Sequence, residues 1–519
     1  MKKRALCLFL CALCLVPGAL ASNVEDSLIV GMVSTRTTEI RPFTPQERDI
    51  LSMYALVYET LVTIDDNGLP QPNLAESWNM SEGGATWTFA LRENVTFSDG
   101  TPLTANDVAA SLNYILTLAA SENSADRGFY ANMRYLVKSV TAKDERTVEV
   151  QAARDYYGLL YAMTFPVVPA SQVDAASPLG TGPYQVREFV AGSHFWLEVN
   201  PNWWQTQPQV KEIMATFYTN NRDLMTAYEY GRVDTAFTRS MAAAQYRSGQ
   251  NSLSITYSTR QLETLMINHA NFPLDRLKVR QAIRYAINEA LIVQNVYMGM
   301  ALDADTPYPS DSWLYYDQES AYTYDPDRAR QLLAEDGWGD YNDDGTLDIL
   351  DGDRRRNMYL SLYVYEDPEY DVRFATAELI ADMLMEVGIQ VHIEAVDFAT
   401  CKEKLEAGSY DLALCAFQMD VVPDVGFFLY SGNSQNYSRY RSDVMDELIL
   451  TLRDQEAQAD FYYTSQEIQR QFEADTPFLC LFYRTGTVLT RRMYTTARAV
   501  REFELLRGIE SFGRQEAGS

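Results

Sequence analysis

Residues 358–417 alternate between stretches typical of strands and stretches typical of helices. Strand character is found at 358–365, 391–393 and 411–417, and helical character at 372–387 and near 398–405. The longer helix has apolar residues at Ala375, Leu379, Met383 and Val387 and is predicted to end at Gly388. This order of elements predicts a largely parallel sheet. Because ligands of such sheets bind beyond the carboxyl ends of strands, the loop after Phe417 is a predicted binding loop.

The length and composition of the chain indicate a globular protein of several domains. With 519 residues, the chain is too long for one compact core and long enough for two or three domains. Hydrophobic residues make up 47% of it and charged residues 22%, which is typical of a folded, soluble protein. We therefore expect a mixed α/β protein with more than one lobe.

The first 21 residues are predicted to be a secretory signal peptide. Three basic residues precede an apolar run at 5–16, and a Pro17-Gly18 break leads to a small-residue cleavage site after Ala21. The apolar run is shorter than the ~20 residues of a membrane-spanning helix, and no later segment offers such a run. The mature protein is therefore expected to be exported, periplasmic or associated with the cell surface, without spanning the membrane.

The cysteines argue against a lipid anchor and against a disulfide framework. Lipoprotein processing needs a small residue before the acylated cysteine, but leucine precedes each of the three N-terminal cysteines, Cys7, Cys11 and Cys14. Three cysteines remain after cleavage, Cys401, Cys415 and Cys480, and an odd number cannot pair completely. We expect buried free thiols; one disulfide with a spare thiol is the alternative.

Charge and motif content exclude several classes of function. The formal net charge of -28 makes nucleic acid and anionic membranes poor partners. The chain has three histidines, His194, His269 and His392, which lie far apart in the sequence. No Gly-x-Ser-x-Gly elbow, His-Glu-x-x-His helix or phosphate-binding glycine loop is present. The sequence therefore predicts a protein that is not an enzyme.

Several motifs, in order along nearly the whole chain, resemble those of one protein family. They are 58–62 (YETLV), 72–78 (PNLAESW), 87–95 (WTFALRENV), 97–104 (FSDGTPLT), 180–184 (GTGPY), 200–204 (NPNWW), 279–287 (VRQAIRYAI) and 324–326 (YDP). On these motifs the chain is identified as a member of the family-5 extracellular solute-binding proteins of ABC importers. This is the peptide and nickel binding-protein family, which includes the oligopeptide- and dipeptide-binding proteins.

The resemblance implies an α/β periplasmic binding protein-like fold of type II, cluster C. Two lobes enclose a ligand cleft, and one lobe carries an inserted domain. Domain I is expected to be discontinuous, from 22–57, 180–265 and 490–519. The inserted domain II is expected at 58–179, and domain III, the second lobe, at 266–489. Gly180 and Gly182 are expected at the crossing between domains, where glycine permits close approach of backbones.

The resemblance also suggests three ligand-binding residues: Asp420, Phe417 and Arg373. Asp420 matches the aspartate with which peptide binders of the family receive the amino terminus of the ligand. A desolvated ammonium needs a fixed anion with spare acceptors, so the chemistry agrees with the match. Phe417 offers an apolar wall or packs in the core. Arg373 resembles the arginine of dipeptide binders, with a solvated helix residue as the alternative.

The segment 340–351 fits the pattern of a calcium-binding loop. Oxygen-bearing side chains occupy the ligand positions, and aspartate replaces glutamate at the last one; the residues are Asp340, Asn342, Asp344, Thr346, Asp348 and Asp351. The loop joins a helix to a strand instead of two helices, so a plain acidic turn is the alternative. No cofactor is required for the expected function, and calcium, if bound, would be structural.

The expected function is transport. A monomer captures a short peptide between its lobes and delivers it to an ABC permease with its ATPase. Alternatives left open are a peptide-sensing receptor component of the same fold, or a non-peptide ligand such as a nickel complex, haem, an opine or a sugar. The shortage of histidine weakens direct nickel chelation.

Overall fold

The computed structural model describes residues 26–44, 47–122, 130–154, 156–247, 252–316, 322–365, 372–491, 494–495, 498–509 and 513–514. The predicted signal peptide and the three N-terminal cysteines lie outside these residues. Within them, no helix combines the length and the apolar character needed to cross a membrane. Cys401, Cys415 and Cys480 are buried free thiols, as expected.

The helices are distributed along the chain between strands. They are α1 (Arg48–Val57), α2 (Ala105–Ala119), α3 (Met133–Leu136), α4 (Leu159–Ala162), α5 (Asn221–Glu229), α6 (Leu277–Ala286), α7 (Glu289–Asn295), α8 (Pro326–Glu335), α9 (Val372–Glu386), α10 (Phe398–Ala407), α11 (Gly426–Leu429), α12 (Asp443–Arg453) and α13 (Gln458–Asp475). Short 3-10 turns occur at Ala170–Gln172 and Met241–Tyr246.

The strands are more numerous than the helices and mostly short. They are β1 (Ser27–Val33), β2 (Val62–Ile64), β3 (Pro70–Pro72), β4 (Ala75–Met80), β5 (Thr86–Leu91), β6 (Val137–Ala142), β7 (Thr147–Ala152), β8 (Tyr184–Val190), β9 (His194–Val199), β10 (Glu212–Tyr218), β11 (Thr235–Thr238), β12 (Leu253–Ile267), β13 (Ala301–Asp303), β14 (Asp348–Asp351), β15 (Arg354–Asn357), β16 (Tyr359–Tyr365), β17 (Gln390–Val396), β18 (Leu412–Gln418), β19 (Phe478–Thr490), β20 (Tyr494–Thr495) and β21 (Gly513–Arg514).

One large mixed sheet contains strands from both the first and the last parts of the chain. Its strand order is β17-β16-β18-β12-β19-β11-β1-β10-β9-β8, with β13 paired to β19. The two longest strands, β12 and β19, run antiparallel at its centre, and β12 also pairs with β18. Strand β18 ends opposite Gln261, near the middle of β12, so the ladder between these two strands stops there.

The predicted alternation between 358 and 417 is confirmed. Strand β16 pairs in parallel with both β17 and β18, and α9 and α10 connect these strands. Of the apolar residues named on this helix, Met383 is buried, as is Val387 just after its end, whereas Ala375 and Leu379 are partly buried. The buried face of the helix also contains Ala377, Ile380 and Leu384. Arg373 lies at the start of this buried face, one turn before Ala377.

A second, four-stranded antiparallel sheet has the order β4-β5-β7-β6. Helix α2 packs against its strands β6 and β7. This helix begins with the expected capping box, in which Thr104 and Asp107 each accept from the other's backbone N–H. The whole sheet lies inside the range predicted for domain II, while the exact domain boundaries stay a prediction.

Two glycines allow the backbone at 180–182 to lie against the end of α1. A side-chain Cβ at either Gly180 or Gly182 would overlap the backbone of Val57. The Nε1–H of Trp204 donates to the buried carboxyl group of Glu59 at 2.8 Å, and that of Trp203 lies 3.5 Å from it. These two tryptophans therefore link the segment 200–204 to the residues that follow α1.

Candidate ligand cleft

A cavity of about 530 Å³ opens at the junction of the three predicted domains. Its walls come from several parts of the chain, which include α1, the segments 60–68, 130–136 and 161–166, residues 258–260 of β12, the loop 307–314, the loop 419–425 after β18, and the segment 499–507. The volume lies within the range of small-molecule sites. The predicted binding loop after Phe417 forms part of this wall.

The pairing of β12 with β18 brings two charged residues to the same wall. Gln261 lies opposite Gln418 at the end of the ladder, and one residue further the Met419 N–H donates to the Arg260 carbonyl at 2.8 Å. Arg260 and Asp420 both line the cavity beyond this last hydrogen bond. Beyond the end of this ladder, the middle of β12 and the loop after β18 thus present one cation and one anion to the cleft.

Asp420 has a carboxylate with acceptor capacity to spare. Its Oδ2 accepts from Asn132 Nδ2 at 2.6 Å, and its Oδ1 accepts from the Val422 N–H at 3.3 Å. Neither donor carries a charge, and no ion pair involving Asp420 occurs in the described part of the chain. A carboxylate oriented by neutral donors is suited to receive a cationic group of a ligand.

Phe417 lies within β18, three residues before Asp420, and is only 8% exposed. Its ring stacks with those of Phe428 and Tyr437, at centroid distances of 5.3 and 6.2 Å. It also lines a second cavity, of about 570 Å³, which shares Asn132, Met419 and Asp420 with the main cleft. The side chain therefore serves both as core and as the floor of a neighbouring apolar pocket.

Arg373 is not brought to the cleft. It is 3% exposed, and its Nη2 donates to Glu263 Oε1 at 2.9 Å, with Glu263 itself 4% exposed. Its guanidinium also lies 4.1 Å from the centroid of the Tyr365 ring. Neither cavity that contains Asp420 has Arg373 in its lining. A ligand role for Arg373 stays a prediction, and the site described here does not depend on it.

The arginine that does reach the cleft, Arg260, was not singled out in the sequence. Its guanidinium carbon lies 5.3 Å from the centroid of the Phe503 ring, and burial lowers the pKa of Arg260. Its Nη1 is buried without a hydrogen-bond partner. No local motif marks it, and it lies in the middle of the long strand β12, so no feature of the sequence singled it out.

The other acidic groups beside Arg260 are already paired. Glu502 accepts from Arg48 Nη1 at 2.8 Å. Burial alone would raise the pKa of Glu504, but Arg501 and Arg507 bind this carboxylate and lower it overall. Further along the wall, Arg453 Nε binds Asp424 at 2.6 Å. These carboxylates have cationic partners in the protein, unlike Asp420.

Several aromatic side chains line the cleft, among them Tyr161, Tyr308 and Trp313. Trp313 Nε1 donates to the Tyr161 hydroxyl at 2.8 Å, and the Tyr308 hydroxyl lies 3.4 Å from the Pro423 carbonyl. Burial raises the pKa of Tyr161 and Tyr308, so both phenols stay protonated and neutral. The cleft is therefore an amphipathic surface with few uncompensated charges.

The predicted calcium loop is stabilised mainly by its own backbone. Both oxygens of Asp340 accept from N–H groups, of Asp344 and Gly345, and Asp344 Oδ1 accepts from the Thr346 N–H. Asp348 Oδ2 accepts from the Tyr341 N–H and from Arg355 Nη1, both at 3.2 Å. No cluster of three or more His, Cys, Asp or Glu side chains in the described residues is arranged to hold a metal ion. Calcium binding by this loop remains a prediction.

Comparison with known proteins identifies relatives of different ligand chemistry. The chain is 28% identical over 313 residues to the nickel-binding periplasmic protein of Escherichia coli K12, a match that covers 57% of this chain and 58% of that protein. Among solved structures, NikZ from Campylobacter jejuni in complex with Ni(L-His) superposes with a TM-score of 0.72 at 21% identity, covering 94% of this chain and 100% of NikZ.

A peptide complex has the same fold. The oligopeptide-binding protein AppA from Bacillus subtilis, in complex with a nonapeptide, superposes with a TM-score of 0.68 at 20% identity and covers 94% of this chain and 99% of AppA. Residues 70–439 match the family described as bacterial extracellular solute-binding proteins, family 5. That match spans more than half of the chain, and it indicates solute binding, not catalysis. The chain belongs to the family-5 extracellular solute-binding proteins.

Proposed function

We propose that this protein is the extracytoplasmic substrate-binding subunit of an ABC importer and that it captures short peptides in the cleft around Asp420. Family membership supports a binding role, and relatives of the family include periplasmic binding proteins. The observation that carries the peptide assignment is the Asp420 carboxylate, which faces the cleft with neutral donors only. The closed complex would then be delivered to a permease and its ATPase.

The environment of Asp420 fits the amino terminus of a peptide. A primary ammonium has three donors and no acceptor, and a carboxylate held by an amide and a backbone N–H retains free lone pairs. The aromatic walls suit side chains and backbone of varied sequence, since they provide apolar area without demanding a specific partner. Asp311, which also lines the cavity, is the weaker candidate because burial raises the pKa of its carboxyl group.

A metal complex is the second candidate ligand class, favoured by the likeness to nickel-binding proteins. The positions of the histidines argue against direct chelation. His269 Nε2 lies 2.8 Å from the Pro477 carbonyl, His194 lies 3.2 Å from Glu188, and His392 lies on the exposed side of β17. None of the three lines the main cleft. A metal would therefore enter as a preformed complex with a small chelator.

The test uses an equimolar tripeptide library with free ends, an amino-acetylated copy of it, and a nickel–histidine mixture. Loss of one partner of a buried charge pair typically costs ~2 to 5 kcal/mol in binding, so Asp420→Asn should weaken the binding of free peptides by more than roughly tenfold. Acetylation should impair binding to the unmutated protein and have much less effect on the variant. Calorimetry on the four combinations gives the coupling.

Asp311→Asn is the matched control, because it removes a second carboxylate from the same cavity. We expect it to retain most of the affinity and the full effect of acetylation. Equal losses on acetylation in the unmutated protein and in Asp420→Asn would show that Asp420 does not receive the amine. Saturable binding of nickel–histidine without binding of any peptide would replace the peptide assignment with the metal-complex one.

A further inference from the structure

The Arg260 guanidinium is the one feature of the cleft wall that the amine site leaves unexplained. Within the described residues it makes no hydrogen bond and no ion pair, and its Nη1 is buried without a partner. Its guanidinium carbon lies 5.3 Å from the centroid of the Phe503 ring. A planar cation held against an aromatic face has a fixed orientation, with its N–H edge left for an acceptor.

No neighbouring carboxylate of the protein takes this role. Glu502 accepts from the backbone N–H of Arg260 at 2.7 Å through Oε2. Its other oxygen, Oε1, accepts from Arg48. Glu504 binds Arg501 and Arg507. A charged donor that is partly buried and unpaired is unfavourable, so an acceptor from outside the protein is expected to complete it.

The backbone places this donor beside the amine site. The Met419 N–H donates to the carbonyl of Arg260, in the middle of β12, so Arg260 lies beside the residue that precedes Asp420. Arg260 and Asp420 line the same cavity. The two side chains do not form an ion pair with each other, which leaves each charge available. A ligand that carries a cation and an anion at a short separation would satisfy both.

We propose that Arg260 binds the carboxylate of the ligand while Asp420 binds its amine, so that the cleft selects zwitterions. The proposal rests on the function proposed above and adds the second charged end of the ligand. Arginine presents two parallel N–H donors to a carboxylate, which gives both attraction and orientation. The carboxylate belongs either to the carboxyl terminus of a short peptide or to the chelator of a metal complex.

The experiment compares the free tripeptide library with a carboxyl-amidated copy, on the unmutated protein and on Arg260→Gln. Amidation removes the anion, and Arg260→Gln removes the cation. Each change alone should weaken binding by about tenfold or more, and amidation should have less than about a threefold effect on Arg260→Gln. Arg260→Lys, which keeps the charge but not the fork, should recover part of the affinity.

Arg441→Gln serves as the control for loss of one positive charge, because Arg441 is exposed and lies outside both cavities. It should bind both libraries as the unmutated protein does. Melting curves of every variant show whether the fold is retained, and Arg260→Lys keeps the proposal testable if Arg260→Gln does not fold.

The outcomes separate this proposal from the one on which it rests. Equal losses on amidation in the unmutated protein and in Arg260→Gln overturn the carboxylate assignment, while coupling between acetylation and Asp420→Asn would still support peptide capture. Failure of both the free library and nickel–histidine to bind overturns both. Binding of nickel–histidine that is lost in Arg260→Gln supports Arg260 as the carboxylate partner and identifies a chelator as its source.

Discussion

Two arginines, Arg373 and Arg260, differ in whether a carboxylate of the protein is their partner. Arg373, in the first turn of α9, is buried and donates to the equally buried Glu263 at 2.9 Å. Arg260, three residues before Glu263 on β12, lies at the cleft without a carboxylate partner. Both guanidinium groups lie over aromatic rings, of Tyr365 and Phe503. They differ in whether a protein anion completes the charge.

The difference shows that an arginine matched to a family motif is not thereby available to a ligand. A buried ion pair has already exchanged water for a protein partner, so opening it for a ligand would leave Glu263 uncompensated. An arginine with no protein anion loses nothing internal when it binds a ligand carboxylate. Whether an arginine already has an anionic partner in the protein therefore distinguishes Arg373 in the core from Arg260 at the cleft wall.

The largest effect that we expect from this comparison concerns stability. Arg373→Met should lower the free energy of unfolding by ~3 to 5 kcal/mol, because it leaves a buried Glu263 without its main cation. Arg484 Nη1, 3.9 Å from Glu263, offsets part of this loss. Arg260→Met should change the free energy of unfolding by less than about 1 kcal/mol, since no protein partner is lost. Denaturant unfolding of the two variants measures the contrast.

The double variant Arg373→Met, Glu263→Leu is the control for this prediction. Removing both charges should restore much of the lost stability, because well-packed apolar residues can replace a buried pair without penalty. Similar losses in Arg373→Met and Arg260→Met would contradict the distinction between an engaged and an available arginine.

A smaller effect is expected from Glu59, a buried carboxyl group whose partners are neutral. Burial raises the pKa of Glu59 to about 7, and the hydrogen bonds from Trp204 and Trp203 offset only part of that rise. The folded state therefore binds more protons than the unfolded state above the ordinary value of 4.5. The resulting stability is fully present below about pH 4.5 and is lost as the pH rises through about 7.

The difference corresponds to roughly 3 kcal/mol, at about 1.4 kcal/mol for each unit of pKa. Glu59→Gln should remove this dependence while keeping the acceptor for the two indoles. Unfolding free energies at pH 5 and pH 7.5 for both proteins measure it. Glu289, whose pKa burial raises to about 8, contributes in the same direction to both proteins and cancels in the comparison. An unchanged slope in Glu59→Gln would show that the carboxyl group is ionised throughout.

The smallest effect is expected at the loop 340–351. Its carboxylates already accept from backbone N–H groups and from Arg355, so we expect calcium to shift the melting temperature by less than about one degree. Chelator treatment followed by calcium titration is the measurement, with Asp340→Asn as the control. A saturable rise that Asp340→Asn abolishes would establish a calcium site and show that the acidic loop is not a plain turn.

Much of the local structure was predictable from the sequence because it depends on neighbours in the chain. The capping box of α2 and the aspartate cap of α8 involve side chains within three residues of the backbone N–H that they bind. The parallel order of β16, β17 and β18 followed from hydrophobic periodicity and loop lengths. The apolar residues of α9 fit two overlapping stripes, and only packing decides that Ala377, Ile380 and Leu384 are buried with Met383 while Ala375 and Leu379 stay partly buried.

The amino-acid sequence by itself determined the fold class, the family and the loop that carries Asp420, since these depend on periodicity and on motifs contiguous in the chain. Only the tertiary structure decided which arginine is paired with a buried glutamate and which lines the cleft without a carboxylate partner among the described residues. Arg373 is engaged because Glu263, 110 residues earlier, lies against it, and Arg260 is available because Arg48 holds a glutamate 454 residues later in the chain. Electrostatic pairing depends on distance in space, and the strand order of the sheet sets that distance.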